Sequence, residues 1–253
     1  MRRIALGILV TGLISTSAWA QQPPPAPAPE PAKKITGTFL AEVPSSYFFR
    51  GYRQEGKPKL TFQPSIDVAV AGEHASFNAG LFNSFHTGSL KDGGAGYYET
   101  DFYAAVTVGR IKTTYTAYTY PKIDNSLIQE LMFSGSFGGK AAASVALAFE
   151  LQKASGADKG IYLELGVNPA VPMKDGAPVV VTIPVKVGLS VKDYYGDGAG
   201  FGYVSGGLNL SKPLSHGDVH GSVTVYGFGD TLKAVNNDKA GQVVGLIGFT
   251  ATF

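Results

Sequence analysis

The chain of 253 residues contains no cysteine, which excludes disulfides and thiolate metal sites. Four histidines are too few to suggest a nitrogen-ligated metal centre, and no cofactor is expected. Charge is scarce, at 16% of residues. The formal net charge of +2 resides entirely in Arg2 and Arg3; without them 19 basic residues face 19 acidic ones. Such a balance offers no field for nucleic acid. After residue 20 no apolar run approaches the roughly 20 residues of a transmembrane helix, and no convincing amphipathic helix is present. The G-x-S-x-G and H-E-x-x-H patterns of serine hydrolases and zinc proteases do not occur.

The N-terminus carries the anatomy of an export signal over residues 1–20. Arg2 and Arg3 precede the apolar run IALGILVTGLI, and Ala18-Trp19-Ala20 supplies a small-x-small cleavage site. Cleavage would leave Gln21 as the first residue. Residues 21–34, QQPPPAPAPEPAKK, form a Pro/Ala tract that favours extended polyproline II and has nothing to build a core from. It reads as a periplasmic spacer.

From residue 35 to 253 the pattern is strand after strand. In PVVVTIPVKVGLSV, Val181, Ile183, Val185, Val187 and Leu189 share one face, while Thr182, Pro184, Lys186 and Ser190 share the other. GIYLELGVN, SVALAFELQ and HGSVTVYGF repeat this period of two, which argues strand over helix. About twelve segments result: 36–50, 58–71, 74–85, 97–108, 110–120, 126–137, 141–152, 160–168, 178–191, 200–210, 218–228 and 241–253. Connections after the second, fourth and sixth are tight and glycine-bearing; those after odd-numbered segments are polar and longer. Short turns on one side and long loops on the other are the layout of an up-and-down antiparallel barrel in an outer membrane. NPAVPMKDGAP and SKPLSHG are long for the short-turn side, so ten to fourteen strands are compatible with the pattern.

A soluble sandwich or lipocalin-like barrel would show the same period. The smaller face discriminates, because it carries Glu42, Asp67, Glu99, Asp101, Lys112, Glu130, Glu150, Glu164 and Lys186. Inside a sandwich these charges would be buried largely unpaired at several kcal/mol each. Facing a wet lumen they cost little. The expected fold is therefore all-β: a transmembrane antiparallel barrel of about twelve strands.

The chain ends GLIGFTATF, with Phe249, Ala251 and Phe253 on one face and Gly248 five positions before the end. This resembles the C-terminal signal by which barrel-assembly machinery recognises outer-membrane proteins. The last strand is expected to close against the first and bury Phe253 at the membrane interface. A second, more specific resemblance lies in SSYFFRGYRQ at 45–54, followed by QPSIDVAV, YYETDFYAAVTVG and TYTAYTYP. These segments resemble the TorF family, exported barrel proteins regarded as porins; the similarity is recognisable over roughly residues 37 to 135. It implies an outer-membrane barrel and a pore, and brings no established substrate. Within a first strand reaching residue 50, Tyr47 and Phe49 would join the aromatic girdle, and Arg50 would project to the lumen mouth and pair with a wall carboxylate.

The expected pore lining is Arg50, Glu99, Asp101, Lys112, Glu130, Glu150, Glu164 and Lys186, joined by parity with Tyr103, Tyr118, Tyr162 and Tyr226. A wall richer in carboxylates than cations favours cations. The expectation is passive diffusion of small hydrophilic solutes through outer-membrane lipid. Two alternatives stand beside it. One is a closed structural or assembly barrel acting through its loops or Pro-rich tract. The other is a membrane-embedded hydrolase built on His216, Asp218, His220 and Ser222, although residues two apart on a strand lie roughly 7 Å from each other.

Overall fold

The computed structural model describes residues 35–55, 60–86, 98–121, 127–153, 158–174 and 176–253. The expected export signal, residues 1–20, and the Pro/Ala tract, residues 21–34, lie outside them. Among the described residues fifteen strands and one helix follow in chain order: β1 (Ile35–Pro44), β2 (Phe48–Phe49), β3 (Tyr52–Arg53), β4 (Thr61–Ala71), β5 (Ala75–His86), β6 (Tyr98–Val108), β7 (Ile111–Thr119), β8 (Ile128–Phe137), β9 (Ala143–Gln152), β10 (Ile161–Val167), β11 (Val180–Thr182), β12 (Val185–Lys192), β13 (Gly200–Leu214), β14 (Gly217–Phe228), α1 (Asp230–Val235) and β15 (Gly241–Thr252).

Twelve of these strands close into one antiparallel barrel. Each pairs with its neighbours in sequence, except that β2, β3 and β11 stand outside the ring. Closure is made by β1 against β15, from Thr38↔Thr252 to Pro44↔Leu246. Two further bonds, Gly37 N–H to the Phe253 carbonyl at 2.8 Å and Phe253 N–H to the Gly37 carbonyl at 2.9 Å, extend the seam to the last residue. No edge is left along this seam, which removes the unpaired backbone groups that a lipid environment forbids.

The alternation sorts side chains as the period of two requires. Phe77, Phe102, Val106, Val223, Val225 and Ile247 belong to an exposed apolar surface running around the barrel. An apolar surface that encircles the molecule is a liability in water and the normal condition in lipid. The opposite face of the same strands is buried and polar: Glu42, Asp67, Glu99, Asp101, Lys112, Glu130, Glu164 and Lys186 all point inward. Phe253 lies on the outward row with Phe249, and its ring covers Gly37.

Both chain ends of the barrel lie at one rim. There the connections are short, as in Gly109–Arg110 between β6 and β7 and Ser215–His216 between β13 and β14. SKPLSHG is thus largely strand, because β13 runs to Leu214 and pairs with Gly217 across a two-residue turn. The segment 178–191 is broken at Ile183-Pro184. Proline lacks the N–H that a continuous ladder needs, so β11 pairs only with the lower part of β13 while β12 continues the ring. The long connection before it is tied back by Val171 N–H to the Val181 carbonyl and Ile183 N–H to the Pro169 carbonyl.

The main departure from the sequence expectation is the first strand. It ends at Pro44, not at residue 50, and residues 45–55 turn into the lumen as a miniature hairpin, β2–β3. Arg50 and Gly51 form its two-residue tip with φ of 49° and 82°, the left-handed pair that matches a tight antiparallel hairpin. Tyr47 is buried inside the barrel and Phe49 packs there against Tyr118, centroids 5.5 Å apart, so neither takes part in an outer girdle. The segment 229–240, expected to be loop, contains the short helix α1, whose Leu232 is 0% exposed and packs against the hairpin.

Candidate functional site: the hairpin in the lumen

The lumen away from the chain termini is filled by aromatic side chains from wall, loops and hairpin together. Phe48 of the hairpin stacks on Tyr226 and Phe228 of β14, with centroids 5.4 and 5.8 Å apart. Tyr162 and Tyr203, at 1% and 0% exposure, meet through their hydroxyls at 3.1 Å, and both donate to Glu164 at 2.8 Å. Glu164 also binds Lys186 at 3.0 Å, so this carboxylate is fully engaged. Tyr194 and Tyr195, from the loop between β12 and β13, complete the cluster.

At its centre sits Arg50. Its guanidinium donates to both oxygens of Glu130, from Nη1 at 2.5 Å and from Nη2 at 2.7 Å, and Nη1 also donates to the Tyr194 hydroxyl at 2.9 Å. The planar group lies over the Tyr162 ring at 4.4 Å and the Phe49 ring at 4.8 Å. Bidentate carboxylate contact with aromatic stacking is the environment guanidinium is suited to and ammonium is not. Burial by itself would lower the Arg50 pKa; the Glu130 carboxylate, joined by Tyr194 and Tyr118, outweighs it and holds the value above the ordinary one. The hairpin is anchored further by Tyr195 Oη to the Arg50 carbonyl at 2.8 Å and Asn236 Nδ2 to the Gly51 carbonyl at 2.8 Å.

Three bulges surround this cluster. The ladders shift register between Gln129 and Glu130, between Ile161 and Tyr162, and between Gly188 and Leu189. Leu151, Val191 and Gly202 are the residues left without a cross-strand partner in these three ladders. A bulge bends its strand and re-aims adjacent side chains, here beside Glu130, Tyr162 and Tyr203.

The eight expected lining residues all face the interior, but not one open passage. Arg50 pairs with Glu130 and Lys186 with Glu164, while Glu150 holds Lys153 at 3.3 Å and accepts from Gly160 N–H at 2.6 Å. Glu99 and Asp101 are buried beside Tyr47 of the hairpin. Lys112 lies nearer the termini-bearing rim, in the field of Asp67, itself held by Asn78 at 2.7 Å and Tyr103 at 3.0 Å.

Free space remains on the other side of the hairpin. A cavity of about 30 Å³, room for about two waters, lies between Ser46–Phe48 and the wall of β14, β15, β1 and β4. Its wall residues include Ser222, Thr224, Leu246 and Gln63. One step towards the termini, His220 reaches across Gly248 to Glu42. His220 Nε2 is 3.3 Å from Glu42 and Nδ1 is 2.8 Å from Asp218. Both ring nitrogens therefore face carboxylates, which leaves neither to take a proton from Ser222. His220 is thus not placed as a base for Ser222.

Gly248 makes the crossing possible, since a Cβ there would run into His220 Nε2, the Ala41 carbonyl and Glu42 Cγ. G248V should destabilise the barrel by about 1–3 kcal/mol through overpacking. G245A on the same strand, where a Cβ meets nothing within 4 Å, should be near neutral. Thermal unfolding of the refolded proteins in detergent reads the difference.

No protein-family profile matches the chain, and no curated protein matches it in sequence. In structure it is similar to the translocator domain of the autotransporter NalP from Neisseria meningitidis, at TM-score 0.51 and 12% identity, covering 88% of this chain and 90% of that chain. The KdgM porin aligns at TM-score 0.45 and 11% identity, over 86% of this chain and 99% of that chain. OmpF of Salmonella typhi, in complex with daunomycin, aligns at 0.38 and 6%, over 87% and 97%. The likeness to the first is one of fold, and it agrees with the closed ring and apolar belt: the architecture is that of an outer-membrane β-barrel.

Proposed function

We propose that the protein is an outer-membrane channel for small hydrophilic solutes, with a mild preference for cations, narrowed by the inward hairpin 45–55. The observation that carries this reading is a polar, charged inner wall enclosed by an apolar belt, with an occluding hairpin whose tip is anchored by the bidentate Arg50–Glu130 pair. Export by the 1–20 signal, with cleavage before Gln21, and recognition of Gly248, Phe249, Ala251 and Phe253 by barrel-assembly machinery belong to this reading. So does the resemblance of residues 45–54 to the TorF family. With the termini on the periplasmic side, the hairpin closes the outer mouth.

The residual route runs along β14, β15, β1 and β4, where the next charges are Glu42, His220 and Asp218. Two carboxylates around one imidazole favour cations. Planar-bilayer recording of the refolded protein should give small discrete steps and a cation-selective reversal potential in a salt gradient. E42Q/D218N should move that potential towards zero. The densely packed aromatic lumen supports a second reading, a barrel that stays closed and acts through its loops. A folded protein that remains silent even after residues 47–53 are replaced by a short Gly/Ser linker would decide for it.

A further inference from the structure

The groups that hold Arg50 belong almost entirely to the barrel and not to the hairpin. Glu130 and Met132 stand on β8, Tyr162 on β10 and Tyr194 on the loop after β12; Phe49 alone comes from the hairpin. The barrel's own contacts fix them. The Tyr118 hydroxyl donates to Glu130 Oε1 at 3.2 Å, and Tyr162 is locked by the Tyr203 hydroxyl and Glu164. Bulges in the ladders beside Glu130 and Tyr162 lie at the same level. If the hairpin swings out, a pocket remains with a carboxylate presenting two oxygens in line, a phenolic oxygen beside it and aromatic faces at 4.4 and 5.5 Å from where a planar cation sits.

We infer that this cage is a guanidinium-binding site, filled in the closed protein by Arg50 and open to a solute carrying a guanidinium group that takes its place. Donor geometry sets the class. Two parallel N–H groups meet Glu130 and a third N–H direction meets Tyr194, while the flat face stacks on Tyr162; an ammonium can reproduce one of these contacts at a time. A guanidinium solute that occupies the cage denies the hairpin tip its anchor and favours the open channel, because a ligand shifts an equilibrium towards the state it binds better. The opening rests on the channel reading above. The binding does not.

The test uses the full mature chain with R50A, refolded in detergent, and ethylguanidinium chloride kept far below denaturing concentrations. Ethylguanidinium should raise the thermal midpoint saturably. Ethylammonium should need about tenfold more for the same shift, the loss of one charge-assisted hydrogen bond. R50A/E130Q should abolish the response. R50Q serves the same measurement if R50A does not refold. In the wild-type protein, ethylguanidinium should increase channel openings in a bilayer about tenfold more effectively than ethylammonium. Equal responses to the two cations, or no saturable shift in either variant, overturn the inference. A saturable shift in R50A with no conductance in any variant keeps the site and removes the channel.

Discussion

E130A is expected to release the hairpin and raise single-channel conductance several-fold, the largest change any single lumen substitution should produce. The substitution leaves the Arg50 guanidinium buried without its carboxylate, and breaking a buried pair from one side costs about 3–5 kcal/mol. Glu150, the cross-strand neighbour of Glu130, is already engaged by Lys153 and Gly160 N–H and is poorly placed to substitute. The chain has a simple escape from that cost. The hairpin is tethered at its ends by Tyr47 N–H and Thr61 Oγ1, both on Glu55, and can leave the lumen without breaking any barrel ladder.

R50A removes both the charge and its need for a partner, so it should loosen the hairpin less than E130A does. The double variant R50A/E130A should then be closer to wild type in thermal midpoint than E130A alone, because no charge is stranded. Conductance and thermal midpoint are read on the same four proteins of the cycle. If E130A conducts no more than wild type, the pair does not hold the hairpin. Non-additivity of opposite sign would place the stabilisation in the aromatic packing around Phe48 and Leu232 instead.

Much of the barrel was legible because it depends on a local rule. Tyr162 and Glu164 lie inward, and Leu163 and Leu165 outward, as simple alternation dictates, and the same holds for Thr182, Lys186 and Ser190 even across the break at Pro184. The rule fails where a bulge adds a residue. Leu151 is left over between Gln129↔Gln152 and Glu130↔Glu150, so Gln152 does not follow Glu150 into the interior and is exposed. The hairpin was illegible for a different reason. The aromatic run Y-F-F is rich in strand-forming residues and continues the first strand in sequence, and only the Arg-Gly pair marks the turn, with arginine an unusual residue for φ near 49°. The cage was legible only in parts: Arg50 was expected to pair with a wall carboxylate, and Glu130 and Tyr162 to face inward, but which carboxylate it meets and the part of Tyr194, 144 residues from Arg50, are set only by closure. The partnership of His220 with Glu42 had the same origin, with Gly248 as its only local trace.

V223R tests the premise on which every lumen argument depends, namely which face meets lipid. Val223 stands near the middle of β14, 52% exposed, paired with Leu208 on one side and Gly245 on the other. An arginine on the lipid face near the bilayer midplane costs about 2–4 kcal/mol, falling towards the interfaces. Its flanking residue Ser222 points the other way, into the cavity beside the hairpin. S222R should therefore insert into liposomes as well as wild type while reducing conductance, because a long side chain fills the residual route. V223R should fold poorly into the same liposomes and lower the yield of heat-modifiable, compact barrel on a gel. A soluble barrel of the same fold would show the reverse order: an arginine in water at 223 would be harmless, and one buried at 222 would be costly. Equal insertion of both variants would remove the lipid from the outer face, and with it the reason for reading the inner face as a passage.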